Sequence, residues 1–269
     1  MKLLAVLVNY GDEQLNYLQQ VVSQFKSFKK YEVYIIVNSN IALEIEGVDE
    51  VNIYELDNYQ LLPLTCREII WEYRDDYDVF IYGENDHLFL EKHVDKHLEY
   101  EKILPKNRIT GLIQYEYGND EYYFPAYHAY FDWDYNSVEI FSGKKFAHFK
   151  NLHQASFILT QNQLKRIGEK IDFSVLVEDK DSWIRNKYKN FMIKFFNKKF
   201  IPINAYSVKC KVNTDIYLYG GMKKLICISE FEDNLIHHLP NLYINGEKGR
   251  NKLRSDSKEM KNSLKRLLK

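Results

Sequence analysis

Two acids, an amide and an imidazole directly follow an apolar run in the first third of the chain. Residues 78–82 have the composition of a buried strand, and they are followed by Glu84, Asn85, Asp86 and His87. α/β proteins bind ligands beyond the carboxyl ends of their strands. Two carboxylates and an amide at such an end suit a hard divalent cation that shares its coordination with phosphates. The competing interpretation is a polar turn, because Gly-Glu-Asn-Asp is good turn composition.

A second acidic group and two histidines stand further along. Glu178 and Asp179 open a predicted helix, and a positioned carboxylate there can act as a general base. The helix dipole also favours acids at that place regardless of function. His237 and His238 precede a Leu-Pro pair. Either imidazole could complete a metal site, and both could belong to an ordinary loop.

Three further polar residues stand at the ends of predicted strands. Asn9 and Tyr10 follow the first apolar run, and Asn38 follows the second. They are candidates for contacts to a nucleotide, because ligands lie beyond the carboxyl ends of parallel strands. Polar residues at strand ends are common, so the residue types alone leave this open.

Alternating strand and helix patterns position these residues. Residues 3–8 and 33–37 are predicted strands, and residues 13–28 between them have apolar positions at helical spacing. Strand, helix and strand in forty residues form a βαβ unit, which implies a parallel sheet. The pattern continues with strands at 51–56, 109–115 and 155–159 and helices at 64–74, 91–103 and 161–167. The predicted fold class is therefore α/β, with a mostly parallel central sheet flanked by helices.

The later part of the chain is less regular. Residues 116–150 are rich in Tyr, Asp, Asn and Gly, and a long aromatic loop is often a lid or a binding loop. Residues 199–208 and 215–219 are predicted strands. From residue 247 onward, nine Lys/Arg stand against three Asp/Glu. That composition predicts a solvated C-terminal helix or tail, and a basic amphipathic helix can also rest on an anionic membrane.

The composition argues against several classes of protein. A net charge of −1 gives no electrostatic case for nucleic acid. Three widely spaced cysteines fit neither a disulfide framework nor a zinc knuckle, so we expect reduced thiols in a cytoplasmic protein. Residues 3–8 are better interpreted as a strand than as a signal peptide, and no apolar run approaches the ~20 residues of a membrane span.

The order of these pieces resembles the GT-A fold of nucleotide-sugar-dependent glycosyltransferases. In that family a strand ending in a short acidic "DxD-type" motif holds Mn²⁺ or Mg²⁺ against the donor's diphosphate, and Glu84-Asn85-Asp86 stands at that place here. Many inverting members have a small-residue strand, a helix and then a Glu-Asp pair with a downstream Arg, as in 154–160, 161–168, Glu178-Asp179 and Arg185. The sequence departs from the pattern in two places, with Glu84 for the usual first Asp and Asn38-Ser39-Asn40 where acids are common.

The resemblance implies an enzyme and a set of roles. Asp86 and Glu84 would bind the metal, with His237 or His238 as a further ligand. Asn9, Tyr10, Asn38, Glu84, Asn85 and Asp86 would contact the nucleotide-sugar donor. Asp179, or else Glu178, would deprotonate the acceptor hydroxyl in an inverting transfer.

The resemblance also implies an organisation and a biological setting. A single domain would span residues 1–246, with a nucleotide-binding half at about 1–115 and an acceptor half at about 116–246. Residues 247–269 would form the basic helix or tail. The product would be a bacterial or viral surface polysaccharide or glycoprotein glycan, made by a cytoplasmic enzyme with peripheral membrane contact left open.

Two alternative functions remain open. A sugar-1-phosphate nucleotidyltransferase uses a related sheet, but it carries basic residues after the first strand, where this chain has Asn9-Tyr10-Gly11-Asp12-Glu13. A non-catalytic carbohydrate-binding α/β domain would use the same acids structurally.

Overall fold

The computed structural model describes residues 1–118, 120–125, 133–178, 191, 206–244 and 254–269. These residues form a mixed α/β structure with three sheets. The first has the strand order β11–β4–β1–β2–β3. Its members are β1 (Lys2–Asn9), β2 (Glu32–Ser39), β3 (Glu50–Ile53), β4 (Val79–Glu84) and β11 (Ser156–Thr160). The pairs β1–β2, β1–β4 and β2–β3 are parallel, and β4–β11 is antiparallel.

The predicted βαβ unit is confirmed. Helix α1 (Leu15–Lys26) connects β1 to its parallel neighbour β2. Strand β1 is apolar along nearly its whole length because both of its faces are covered. Leu4 and Val6 pack into one core, and Leu3 and Ala5 pack into the core on the opposite face.

Helices cover both faces of this sheet. Helices α2 (Leu62–Glu72), α4 (Gln161–Gly168) and α5 (Val208–Tyr219) contribute to the core that contains Leu4. Helices α1 and α3 (Glu91–Ile103) contribute to the core that contains Leu3. The carboxyl ends of β1, β2 and β4 therefore meet at one edge, between two helical layers.

The remaining strands form two other sheets. One has the order β6–β12–β10–β9, from β6 (Arg108–Thr110), β9 (Trp133–Phe141), β10 (Lys144–Phe149) and β12 (Lys223–Cys227). The other has the order β14–β8–β7–β13–β5, from β5 (His87–Leu88), β7 (Ile113–Gly118), β8 (Glu121–Pro125), β13 (Leu235–His238) and β14 (Arg254–Asp256). Both combine parallel and antiparallel pairs. The structure thus shows several sheets rather than the one mostly parallel sheet that the sequence predicted.

Two assignments from the sequence were wrong. The segment 116–150, which was expected to be a long loop, is largely strand where it is described. Its aromatic residues pair across strands, as Trp133 and Phe149 do with ring centroids 4.9 Å apart. Residues 215–219 belong to helix α5, and a short apolar run cannot be told from a buried helix by periodicity. Of the predicted strand 199–208, residues 206–208 are not strand and the rest lies outside the described residues.

The basic C-terminal segment contains helix α6 (Ser257–Leu268). Its Met260 and Leu267 are buried in a core that includes Phe124 and Trp133. The helix is therefore packed on the protein through its apolar residues, and Lys258, Lys261, Lys265 and Arg266 are exposed. Among the helices that the described residues form, none has the length and apolar character needed to cross a bilayer.

Candidate functional site

Amide side chains tie together the carboxyl ends of β1, β2 and β4. The Asn85 Nδ2 group donates to Asn9 Oδ1 at 2.7 Å, and Asn9 Nδ2 donates to Ser39 Oγ at 3.2 Å. Asn38 Nδ2 donates to Thr65 Oγ1 on helix α2 at 2.7 Å. All three asparagines are buried. They fix the relative positions of the strand ends, beyond which the acidic residues lie.

The acidic residues and two histidines converge just beyond this edge. Glu84 ends β4, and Asp86 lies in the turn to β5, which His87 begins. Strand β5 pairs with β13 so that His87 stands opposite His238. This pairing brings a residue from late in the chain to the end of β4. The Nε2 atom of His238 lies 3.3 Å from Asp86 Oδ2.

Three of these side chains offer ligand atoms to a common point. One ligand atom each from Glu84, Asp86 and His87 lie within 4.8 Å of one another. Asp86 Oδ1 and His87 Nδ1 are 2.7 Å apart and buried, yet within the described chain neither makes a hydrogen bond of acceptable geometry. Buried polar atoms are normally hydrogen-bonded or coordinated to an ion. The residues therefore fit a divalent cation with oxygen and imidazole ligands such as Mn²⁺, or Mg²⁺ held by the carboxylates.

The carboxylates and imidazoles of this cluster shift each other's pKa. Burial alone would raise the pKa of Asp86, but the His238 and His87 imidazoles hold it well below its ordinary value. Burial opposes a charge on His238, yet the carboxylates of Asp86 and Glu116 raise the pKa of His238 to about 10. Asp86 is therefore ionised at neutral pH, as a metal ligand requires, whereas His238 is protonated and would have to release its Nε2 proton to bind a cation.

A lysine from helix α5 pairs with one of the acids. Ser207 caps helix α5 by accepting from the Cys210 N–H, and Lys209 lies in the first turn. The Lys209 Nζ atom lies 3.0 Å from Glu84 Oε2. The Glu84 carboxylate raises the pKa of Lys209 against the opposing effect of burial. An ammonium group thus stands beside the acidic cluster.

These groups line one cleft of about 600 Å³. Tyr10 and Tyr59 form part of its wall, with ring centroids 5.3 Å apart and planes inclined by 58°. Tyr10 is 62% exposed, so one ring is available for a flat ligand. The other wall includes Leu242 and Tyr243, which follow β13.

The structure brings together part of the predicted site. Tyr10, Glu84, Asn85, Asp86 and His238 all line the cleft. Asn9 and Asn38 lie behind it in the network that joins the strand ends. Glu178 is exposed and is not among the described residues that line the cleft. Asp179 and Arg185 lie outside the described residues.

The structure separates the two adjacent histidines. His237 stacks on Tyr115 with ring centroids 4.8 Å apart and planes inclined by 10°. Successive side chains of a strand point to opposite faces, and β13 accordingly directs His238 to the cleft and His237 away from it. Of the two histidines, His238 is therefore the one that lines the cleft.

Three residues of this region were missed by sequence reasoning. The predicted ligand set does not include His87 although it directly follows Asp86, and that adjacency was the available signal. Glu116 contacts His238 from strand β7, with His238 Nδ1 2.7 Å from Glu116 Oε1. Glu116 and Lys209 are single charged residues in segments without a motif, so no pattern in the sequence distinguishes them.

No protein-family model matches the sequence, and no curated protein matches it. Among solved structures that align with the chain is that of S. aureus TarS, at 8% sequence identity and a TM-score of 0.37. The alignment covers 62% of this chain and 30% of TarS. A similarity of this size carries no argument about activity, so the functional case depends on the geometry of the cleft.

Proposed function

We propose that this protein is a metal-assisted glycosyltransferase of the GT-A type, which moves a sugar from a nucleoside-diphosphate sugar to a hydroxyl group of a glycan. One observation carries the proposal. Asp86, His87 and His238 converge with Glu84 and Lys209 in a single cleft at the carboxyl ends of parallel strands. Oxygen and imidazole ligands next to an ammonium group suit a divalent cation together with a diphosphate.

In this proposal, Asp86, Glu84, His87 and His238 would hold Mn²⁺ or Mg²⁺. When bound, the cation acts as a Lewis acid toward the negative charge that develops on the leaving diphosphate. Lys209 contributes a positive charge next to Glu84. Tyr10 and Tyr59 offer aromatic surface to the base or sugar of the donor.

The acceptor hydroxyl must lose a proton as it attacks, which calls for a positioned carboxylate. We assign this role to Asp179, with Glu178 as the alternative, on the resemblance to inverting transferases. Residues 1–115 would form the donor half and residues 116–246 the acceptor half of one domain. The exposed basic residues of α6 would be available to an anionic surface while its apolar residues stay packed.

The test is a donor screen with mass spectrometry. The protein would be incubated with Mn²⁺ and a panel of nucleotide sugars, and release of nucleoside diphosphate would be followed with and without added glycans. We expect one donor to be consumed by the wild type, not by Asp86→Asn, and normally by Asp75→Asn, whose exposed carboxylate pairs with Lys165. If Asp86→Asn consumed the donor at the wild-type rate, the proposal would be wrong. Activity only with a nucleoside triphosphate and a sugar 1-phosphate would instead indicate a nucleotidyltransferase.

A further inference from the structure

Glu116 is a fully buried carboxylate next to the cleft. It lies on strand β7 and is 0% exposed. Its Oε2 atom accepts from the Tyr243 N–H at 3.0 Å and the Ile244 N–H at 2.8 Å. Its Oε1 atom lies 2.7 Å from His238 Nδ1, with which it forms an ion pair. Burying a carboxylate is costly unless it is hydrogen-bonded and paired. The two N–H groups and the imidazole supply these partners for Glu116.

The contact with His238 fixes the imidazole. The His238 Nδ1–H group donates to Glu116 Oε1 at 2.7 Å. The other ring nitrogen, Nε2, is thereby directed at Asp86 Oδ2, 3.3 Å away. A carboxylate behind a metal-binding histidine commonly sets both the ring orientation and which nitrogen faces the metal.

The same carboxylate also holds the cleft wall. Tyr243 lines the cleft, and its ring centroid is 5.6 Å from that of His238. The Leu239 N–H donates to the Asp86 carbonyl at 2.9 Å, so the segment after β13 is tied to the acidic turn at its beginning. Glu116 therefore anchors the far end of a segment that begins at the candidate metal site.

We propose that Glu116 is a positioning residue of the metal site, which acts through His238 by orienting the imidazole toward Asp86. This inference rests on the proposed function, because it assumes that the Asp86 cluster binds a divalent cation. Glu116 is not among the described residues that line the cleft. Its role is to make one of the several orientations of His238 dominant, and so to raise the affinity of the site.

A double-mutant cycle on metal binding tests the proposal without turnover. The affinity for Mn²⁺ alone would be measured by the electron paramagnetic resonance signal of free Mn²⁺. The variants are Glu116→Gln, His238→Asn and their combination. Asparagine places its amide where Nδ1 stood and can still donate to Glu116, while the Nε2 side is removed. The control is Glu121→Gln, an exposed acid on the neighbouring strand β8.

We expect Glu116→Gln to weaken Mn²⁺ binding by about 10- to 100-fold, as is typical for outer-shell partners of metal ligands. The double variant should bind no more weakly than His238→Asn, because Glu116 acts through the imidazole. Glu116→Gln binding at wild-type affinity would overturn the proposal, as would a full additional loss in the double variant. Absence of Mn²⁺ binding by the wild type would refute the metal site itself, and with it the proposed function.

A second measurement covers the case in which Glu116→Gln fails to fold. In protein labelled with ¹⁵N-histidine, the His238 Nδ1 proton should exchange slowly with solvent because it is buried and bonded to Glu116. Its resonance should be absent from His238→Asn. A wild-type spectrum without a protected Nδ1 proton on His238 would contradict the proposal.

Discussion

Replacing Lys209 by methionine should change the affinities for metal and for diphosphate in opposite directions. Methionine keeps the length of the side chain but removes the ammonium that lies 3.0 Å from Glu84 Oε2. Without that charge, Glu84 is free to attract a cation, so we expect tighter Mn²⁺ binding. A nucleoside diphosphate loses a positive neighbour, so we expect weaker nucleotide binding.

The magnitude follows from the exposure of the pair. Two unit charges about 4 Å apart interact by about 1 kcal/mol in bulk water and about 4 kcal/mol at an effective dielectric constant of about 20. The Lys209 side chain is 49% exposed, which places the effect near the lower value. About 1 kcal/mol corresponds to about a fivefold change in each affinity. The free energy of unfolding should fall by less than about 1 kcal/mol, as for other exposed ion pairs.

Isothermal titration calorimetry can measure Mn²⁺ binding first, and then the binding of nucleoside diphosphates at saturating Mn²⁺. Lys165→Met is a matched control, because Lys165 is 45% exposed and lies 2.8 Å from Asp75 Oδ1, in an ion pair away from the cleft. If Lys209→Met weakened both affinities together, the change would be a structural lesion. An unaltered affinity for diphosphate would show that Lys209 does not face the phosphates.

Three further predictions concern other residues. Burial lowers the pKa of Lys224 from 10.5 to about 7, so the unfolded chain binds this proton more tightly. The free energy of unfolding should therefore gain about 5 kcal/mol as the pH rises through that interval, and urea unfolding of Lys224→Met should lack this gain. Burial opposes the charge of Glu230, but hydrogen bonds from two lysines and a tyrosine lower its pKa from 4.5 to about 2. The resulting stabilisation of about 3 kcal/mol is present above pH 4.5 and is lost as the pH falls toward 2. Urea unfolding should therefore show that Glu230→Gln is less stable than the wild type at pH 7 and equally stable at pH 2. An equal loss of stability at both pH values would contradict this. His237→Ala should keep the Mn²⁺ affinity that His238→Ala loses, and the reverse result would place the other imidazole at the metal.

Local pattern in the sequence was sufficient for the first sheet and its acidic end. The apolar runs that became β1, β2 and β4 are continuous because both faces of these strands are covered. The helix between the first two forces them to be parallel. Glu84 and Asp86 could therefore be placed at the carboxyl edge, since position along a buried strand is a property of neighbouring residues.

Local pattern misled where the interpretation depended on distant partners. The aromatic segment after β7 looked irregular, although most of its described part forms strands that pair with one another and with β7, β12 and β14. Residues 215–219 looked like a strand but continue helix α5 from its cap at Ser207. The composition predicted a solvated C-terminal helix or tail, whereas Met260 and Leu267 of the final helix are buried.

The composition of the site was decided only by tertiary structure. The sequence determined that a strand ends in two acids and that two adjacent histidines occur late in the chain. The antiparallel pairing of β13 with β5 decided that His238, and not His237, meets Asp86. The parallel pairing of β13 with β7 brought Glu116 behind that imidazole, and the packing of α5 brought Lys209 to Glu84. The physical reason is register, because a shift of one residue between paired strands turns every side chain to the opposite face, and no local stretch of sequence carries that information.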